Sequence, residues 1–281
     1  MIVFLNGKFV PEAQAVVSVF DRSFLYGDGL FEVVPFFNKK PFRWAQHLER
    51  FAHGAELLKI RPPFSHEALK GFADELVAKN KMPDALLRFT LSRGIGLRGY
   101  SPKDADAPTF VMTLHPTPGT PGADSPRFKL VTSSVRLPAG EPLAQFKNAN
   151  KLPQILARAE ADAAGADEAL LLNTDGNVVE GTTSNLFWIE REVVCTPTLA
   201  SGILPGVTRA VVLEICRSLG IETQERNIRS QELKTVDGIF VSLSSWGIVE
   251  AQSLDEALLK SSTLTEKIRG AYWELVRAET A

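Results

Sequence analysis

The residue of this 281-residue chain best suited to covalent chemistry is a lysine that precedes an amphipathic segment. Lys147 follows the apolar Phe146 and comes just before a helix predicted at about 150–164. Desolvation of a lysine lowers its pKa and leaves a neutral amine that can form a Schiff base with a carbonyl compound. The spacing alone does not choose Lys147 over Lys151. Because most lysines are surface charges, the assignment depends on the residues that accompany it.

A carboxylate between two apolar segments is the second candidate. Glu180 opens the sequence EGTTSN, which follows one apolar strand and continues into LFWI. A carboxylate in such surroundings is partly buried and needs a partner, and a protonated ring nitrogen would serve. Hydrogen bonds from backbone amides at the strand end explain the residue equally well.

Several hydrogen-bond donors could bind an anion such as phosphate. In LPGVTR a helix is predicted directly after a Pro-Gly turn, so the N–H groups of Val207 and Thr208 and the Thr208 hydroxyl could hold an oxyanion. An ordinary N-terminal cap by Thr208 is the alternative. Serines after the apolar strand GIFV could add donors, and an arginine in HLERF could add charge, although a polar turn and a solvated side chain explain them as well. These residues are Ser242, Ser244, Ser245 and Arg50.

Composition limits the kind of partner. The chain is 44% hydrophobic and 23% charged with a net charge of -2, values typical of a globular protein without a basic surface for nucleic acid. No apolar run is long enough to span a membrane, and the sequence favours a cytoplasmic protein. Cys195 and Cys216 have no neighbouring cysteine or histidine pair, so neither a disulfide framework nor a metal site is predicted. The expected partners are small molecules.

The length favours two domains, and a segment rich in proline separates them. HPTPGTPGADSP contains four prolines and two glycines, which exclude a continuous helix or a central strand. We place an N-terminal α/β domain at 1–115, a linker at 116–126 and a C-terminal domain at 127–281.

The apolar spacing predicts the elements within each domain. In the helix after Lys147 it predicts that Leu152, Ile155, Leu156 and Ala159 point inward. The predicted helices lie at 44–60, after a Ser65 cap, at 150–164, at 206–219 and at the C-terminus, and the predicted strands at 85–92, 109–114, 128–135, 185–195 and 238–243, with a hairpin turn at Asp175-Gly176.

Taken in order, the candidate segments resemble the fold-type IV enzymes that use pyridoxal 5'-phosphate (PLP): D-amino-acid aminotransferase, branched-chain aminotransferase and aminodeoxychorismate lyase. The resemblance implies an α+β fold with a smaller N-terminal α/β domain, a larger C-terminal mixed-sheet (pseudo-barrel) domain, an active site between them, and a homodimer. The matching segments are DRSFLYGDGLFE at 21–32, HLERF at 47–51, SRGIGLRGYS at 92–101, FKNANKLPQILARAEA at 146–161, EGTTSNLFW at 180–188, LPGVTR at 204–209 and the serines at 242–245.

The resemblance also implies roles for single residues. Lys147 matches the family's Schiff-base lysine, which carries the cofactor and shuttles the Cα proton, and Glu180 matches the carboxylate that faces the pyridine nitrogen. Leu204 matches the residue that packs on the cofactor ring. The phosphate-binding positions are matched by Arg50, Val207, Thr208 and Ser244, and the substrate-binding positions by Phe31, Arg98, Tyr100 and Ser245.

The family includes more than one reaction. The segments SRGIGLRGYS and KNANKL resemble the lyase, which eliminates pyruvate, whereas GDGLFEVVP resembles the D-amino-acid aminotransferase. Branched-chain enzymes carry a Gly-Arg pair where this chain has Val33-Val34. We expect an aminotransferase that moves an amino group from a D-amino acid or branched-chain amino acid to a 2-oxo acid. The lyase, an (R)-amine transaminase and a non-catalytic PLP-binding homologue are the alternatives.

Overall fold

The computed structural model describes residues 1–118 and 126–281, and its contacts divide the chain into two units. The first unit comprises Met1–Pro118, Phe146–Asn150 and Ala278–Ala281, and the second comprises the other described residues. Most of the linker predicted at 116–126 lies outside the described residues. The domain boundaries therefore stay predictions.

The first unit is built on one antiparallel sheet of six strands with the order β2-β1-β6-β5-β3-β4. Helices α2 and α3 cover one face of the sheet. The strands are β1 (Ile2–Leu5), β2 (Lys8–Pro11), β3 (Gly29–Phe37), β4 (Lys40–Pro41), β5 (Ala85–Ser92) and β6 (Thr109–Pro116), and the helices are α1 (Arg22–Tyr26), α2 (Trp44–Leu58) and α3 (His66–Asn80).

Alternation along the strands produces the core of this unit. In β5 the side chains of Ala85, Leu87, Phe89 and Leu91 are fully buried, while those between them are half-buried or lie on the other face. The predicted cap is confirmed, since the Ser65 hydroxyl accepts a hydrogen bond from the N–H of the third residue of α3.

Residues 146–150 group with the first unit, whereas the sequence placed them in the C-terminal domain. The physical reason is Phe146, which is 1% exposed and belongs to the core beneath the six-stranded sheet. Gly54 in α2 makes room for it, because a Cβ there would lie 2.8 Å from the Phe146 Cβ. The segment that carries Lys147 is thereby anchored on the first unit.

The second unit contains a nine-stranded mixed sheet and four helices among its described residues. Its strands are β7 (Phe128–Leu137), β8 (Glu168–Asn173), β9 (Val178–Gly181), β10 (Asn185–Glu190), β11 (Val193–Thr196), β12 (Thr223–Glu225), β13 (Gly238–Leu243), β14 (Gly247–Leu254) and β15 (Ala257–Leu258). Its helices are α4 (Leu152–Ala163), α5 (Val207–Ser218), α6 (Ser230–Leu233) and α7 (Thr263–Thr280), and the last residues of α7 group with the first unit.

The sheet of the second unit closes on itself. Its strand order is β12-β11-β10-β13-β14-β7-β8-β9, and β9 also pairs with β10, which completes a ring of six strands. β7 pairs in parallel with both β14 and β8, and α4 connects β7 to β8 along the chain. The predicted mixed sheet is confirmed.

Two details differ from the sequence predictions. The inward placement of Leu152, Ile155 and Leu156 is wrong, because these side chains are 65%, 60% and 53% exposed. α4 instead buries Ala157 and Ala161, whose small side chains let the helix lie close to β7 and β8. Strand β14 was not predicted, since polar residues at 250 and 252 interrupt its apolar pattern.

No helix within the described residues is both long and apolar enough to cross a membrane.

Candidate functional site

Lys147 is fixed alongside β3 by backbone hydrogen bonds. The Phe31 N–H donates to the Lys147 carbonyl at 2.9 Å, and the Ala149 N–H donates to the Gly29 carbonyl at 2.9 Å. The Lys147 Nζ lies 4.9 Å from the centre of the buried Phe31 ring. Lys151, in contrast, is the N-cap of α4 and groups with the second unit. The structure therefore gives the two lysines different surroundings.

Arg88 is a candidate that the sequence analysis missed. It lies on β5 opposite Val33, on the sheet face that also carries Phe31, and its Cζ is 3.7 Å from the centre of the Phe31 ring. Arg88 is half-buried, and among the described residues it has no carboxylate or hydrogen-bond partner. A partly desolvated cation near Lys147 could receive the carboxylate of a bound molecule. The single charge within the apolar strand ALLRFTLS was the signal in the sequence.

Arg50 and His47 both bind a buried carboxylate from β3. Glu32 lies on the core face of β3, next to α2, and is 1% exposed. The Arg50 Nε and Nη2 donate to the two Glu32 oxygens at 2.7 and 2.8 Å, and the His47 Nδ1 lies 2.9 Å from Oε2. His47 and Arg50 are three residues apart on α2, so they face the same carboxylate. The bidentate pair fixes the plane and direction of the Arg50 guanidinium.

The charges of this cluster follow from its geometry. Burial by itself raises the pKa of the Glu32 carboxyl, but the Arg50 charge and the His47 hydrogen bond outweigh it and hold that pKa at about 2. Burial lowers the pKa of His47 despite the opposing effect of Glu32, and the positive charges of Arg50 and Lys147 lower it further. An ionised Glu32 is only an acceptor, so a neutral His47 donates its Nδ1–H to it.

Arg98 and Tyr100 lie on an exposed loop of the first unit. Tyr100 is 87% exposed and the Arg98 side chain is also exposed. Beneath them Arg22 is buried, and its guanidinium donates to the Gly99 and Tyr100 carbonyls at 3.0 and 3.1 Å and to Asp28 at 2.7 Å. The structure thus gives the loop a charged anchor, but it does not place Arg98 and Tyr100 within a pocket of the first unit.

In the second unit, Glu180 is tied to Leu204 and Asn185. The Glu180 Oε2 accepts the Leu204 N–H at 2.9 Å and faces the Asn185 Nδ2 at 3.5 Å, while the same amide donates to the Leu204 carbonyl at 2.9 Å. Glu180 ends β9 and Asn185 begins β10, and these two residues are cross-strand partners. The turn 181–184 therefore decides where the Glu180 carboxylate points.

The N-terminus of α5 begins two residues after Leu204. Its N-cap is Gly206, whose Cβ, if present, would lie 1.9 Å from the Asn185 Oδ1. No side chain among the described residues caps this helix, so Thr208 is not the N-cap that the alternative required. The N–H groups of Val207 and Thr208 lie in the first turn, where a helix attracts anions.

The predicted serines lie at the end of β13, against which α5 packs. Ser242 pairs with Asn185 across the sheet, and its buried hydroxyl has no hydrogen-bond partner within the described parts of the chain. Ser244 and Ser245 form the half-buried turn into β14. The second unit thus brings Glu180, Leu204, the start of α5 and the end of β13 together around Asn185.

Comparison with known proteins adds independent observations. Residues 29–254 match the family model of class IV amino-transferases. The chain is 36% identical over 267 residues to a putative branched-chain-amino-acid aminotransferase of Methanocaldococcus jannaschii, with 95% of this chain and 92% of that protein covered. It is 30% identical over 260 residues to an aminodeoxychorismate lyase of Bacillus subtilis, with 91% and 87% covered. A solved structure of the branched-chain amino acid aminotransferase of T.th. with pyridoxamine 5'-phosphate is similar with a TM-score of 0.92 at 29% identity, covering 99% of this chain and 94% of that chain.

The cluster around Glu32 predicts a specific response to acid. Glu32 contributes stability that is fully present above its ordinary pKa of 4.5 and is lost as the pH falls toward about 2. Glu32→Gln leaves Arg50 buried without its counter-charge, so we expect the free energy of unfolding at neutral pH to fall by about 3 kcal/mol. The variant should also lose less stability than the parent between about pH 4.5 and about pH 2.

Urea unfolding measured at several pH values checks both effects. The matched control is Asp74→Asn, which removes an exposed pair with Lys70 and should change the free energy of unfolding by less than about 0.5 kcal/mol. A Glu32→Gln variant as stable as the parent at neutral pH would contradict the cluster.

Proposed function

On the premise that the chain belongs to the class IV aminotransferases, we propose that it is a PLP-dependent enzyme that transfers an amino group from an amino acid to a 2-oxo acid. The expected family and two-domain fold are confirmed. The observation that carries the proposal within the chain is the fixed position of Lys147 beside Phe31. The finer assignments below go beyond the family.

The residues present fit PLP. A phosphate group suits the start of α5, a twelve-residue helix without a side-chain cap among the described residues. A protonated ring nitrogen suits a carboxylate held in place as Glu180 is. We assign the phosphate to Val207, Thr208 and Ser244 with Arg50, and the packing of the ring to Leu204. PLP, when bound, supplies an electron-withdrawing ring that stabilises negative charge at the substrate Cα.

The side chains then have separate tasks. The Lys147 amine binds the cofactor and, once the substrate amine has displaced it, accepts the Cα proton and returns it one carbon away. Glu180 holds a proton at the ring nitrogen. Arg50, whose direction Glu32 fixes, offsets the charge of the phosphate. Water completes the release of the 2-oxo acid, and a second 2-oxo acid takes up the amino group.

Two cations are candidates for the substrate carboxylate. Arg98 is proposed from the resemblance, together with Phe31, Tyr100 and Ser245. Arg88 is proposed from the structure, because it stacks on the ring that also lies next to Lys147. Both arginines could bind a carboxylate through two parallel hydrogen bonds. The similarity to branched-chain-amino-acid aminotransferases favours branched-chain amino acids as donors.

Aminodeoxychorismate lyase is the second candidate function, because the chain resembles the Bacillus subtilis lyase over most of its length. The two reactions use the same cofactor residues and differ in the bond that breaks after the Cα proton leaves. We favour the aminotransferase, since the similarity to the Methanocaldococcus jannaschii protein is greater in both identity and coverage.

A homodimer is proposed as the active form. Each unit, taken by itself, exposes large apolar side chains that water does not favour, and such patches mark interaction surfaces. The location in the cytoplasm stays a prediction from the sequence. The exposed apolar residues include Phe20, Phe24, Ile95 and Leu97 in the first unit and Leu152, Ile155 and Leu156 in the second.

Product analysis tests the proposed reaction. The PLP-loaded protein is incubated with L-leucine, D-alanine, (R)-1-phenylethylamine or aminodeoxychorismate, each with and without 2-oxoglutarate. We expect L-leucine to give its 2-oxo acid and glutamate in equal amounts, and only when 2-oxoglutarate is present. Pyruvate from aminodeoxychorismate without an acceptor would show the lyase instead, and a PLP-bound protein that converts none of the four would contradict both functions.

Substitution of the two arginines tests the substrate class. Lysine cannot reproduce the two parallel bonds of a guanidinium to a carboxylate. We therefore expect Arg88→Lys and Arg98→Lys each to lower kcat/KM for the best amino acid at least tenfold, about 1.4 kcal/mol, with little change for an amine that lacks a carboxylate. The control is Arg158→Lys, which alters an exposed pair on α4. Equal losses on both substrates would show that the substituted arginine is structural.

A further inference from the structure

A second buried carboxylate lies behind the turn that carries Glu180. Glu168 begins β8 and is 1% exposed. Its Oε1 accepts the N–H groups of Ala169 and Thr182, both at 3.0 Å, and the Thr182 hydroxyl. Its Oε2 accepts the Thr183 N–H at 3.2 Å, the Thr183 hydroxyl at 3.0 Å and the Ser184 hydroxyl at 3.1 Å. Five of these six donors belong to the turn between β9 and β10.

The turn is shaped around this carboxylate. The Gly181 N–H donates to the Ser184 carbonyl at 2.7 Å, which closes the turn. A Cβ on Gly181 would lie 2.3 Å from the Ser184 Oγ and 2.9 Å from the Glu168 Oε2, so only glycine fits. Backbone and side chains of the turn therefore converge on Glu168.

The residues at the two ends of the turn are Glu180 and Asn185. They are cross-strand partners, and both bond to the backbone of Leu204. A change in the path of residues 181–184 would move the Glu180 carboxylate relative to Leu204. The donors that meet Glu168 belong to the turn and to Ala169, so its effect on Glu180 passes through the turn.

We propose that Glu168 is a positioning residue that fixes the turn 181–184 and so directs the Glu180 carboxylate to the pyridine nitrogen of PLP. The inference rests on the proposed function, because it needs a bound PLP that Glu180 protonates. Both oxygens of Glu168 are used as acceptors, three donors on each. Glutamine would place an NH₂ group against three of those donors, so even this isosteric change disrupts half of the arrangement.

The test is the ¹⁵N chemical shift of PLP labelled at the ring nitrogen and bound to the full chain. This shift separates a protonated from an unprotonated ring nitrogen, and a merely structural role of Glu168 would not move it. We expect Glu168→Gln to move the shift from the parent value toward that of Glu180→Gln, and to lower kcat at least tenfold. Thr183→Val keeps the shape of the side chain, removes one donor and should move the shift by a smaller amount.

The matched control is Glu160→Gln. Glu160 also accepts bonds from serine hydroxyls and a backbone N–H, those of Ser133 and Ser134, yet it lies on α4 away from the turn. This variant should bind PLP with the parent shift.

The outcomes separate the two proposals. If Glu168→Gln fails to fold, Thr183→Val alone decides the question. A parent shift in the folded variants, accompanied only by a lower melting temperature, would overturn the positioning role. A parent chain that binds no PLP, or whose shift is unaffected by Glu180→Gln, would overturn the proposed function and the inference with it.

Discussion

A carboxylate buried away from water must be met by donors, and this requirement organises the candidate site in both units. In the first unit Glu32 is met by Arg50 and His47, so a strand and a helix are joined by charge as well as by apolar packing. In the second unit Glu168 is met by the turn between β9 and β10. Each carboxylate fixes a neighbouring group that we assign to the cofactor.

The nucleophile is positioned by different means. Lys147 belongs to a short segment that follows a buried phenylalanine and bonds to the backbone of β3. Backbone bonds fix the segment and leave the amine at the end of its side chain to react. The chemistry that we propose thus combines a rigid base for Lys147 with charged groups whose directions are set by buried partners.

The elements of the fold could be predicted because their signals are local. The cap at Ser65, the apolar alternation of β5 and the Asp-Gly turn each act over a few residues. The contacts that decide the site are different, since Glu32 with Arg50 and Glu168 with Thr183 join residues that are far apart in sequence. Arg88 was missed for the same reason, because its significance depends on a ring carried by another strand. The apolar face of α4 was wrongly assigned to the interior, since periodicity shows that a helix has a face but not what covers it.

The central claim is that Lys147 carries PLP, and reduction of the PLP-loaded protein with borohydride followed by peptide mass mapping tests it most directly. Reduction makes the link between the lysine and the cofactor permanent, so the modified residue can be identified without any knowledge of the substrate. We predict a phosphopyridoxyl group on Lys147 alone. The same group on Lys151, or its absence from every lysine of a protein that had bound PLP, would contradict the account.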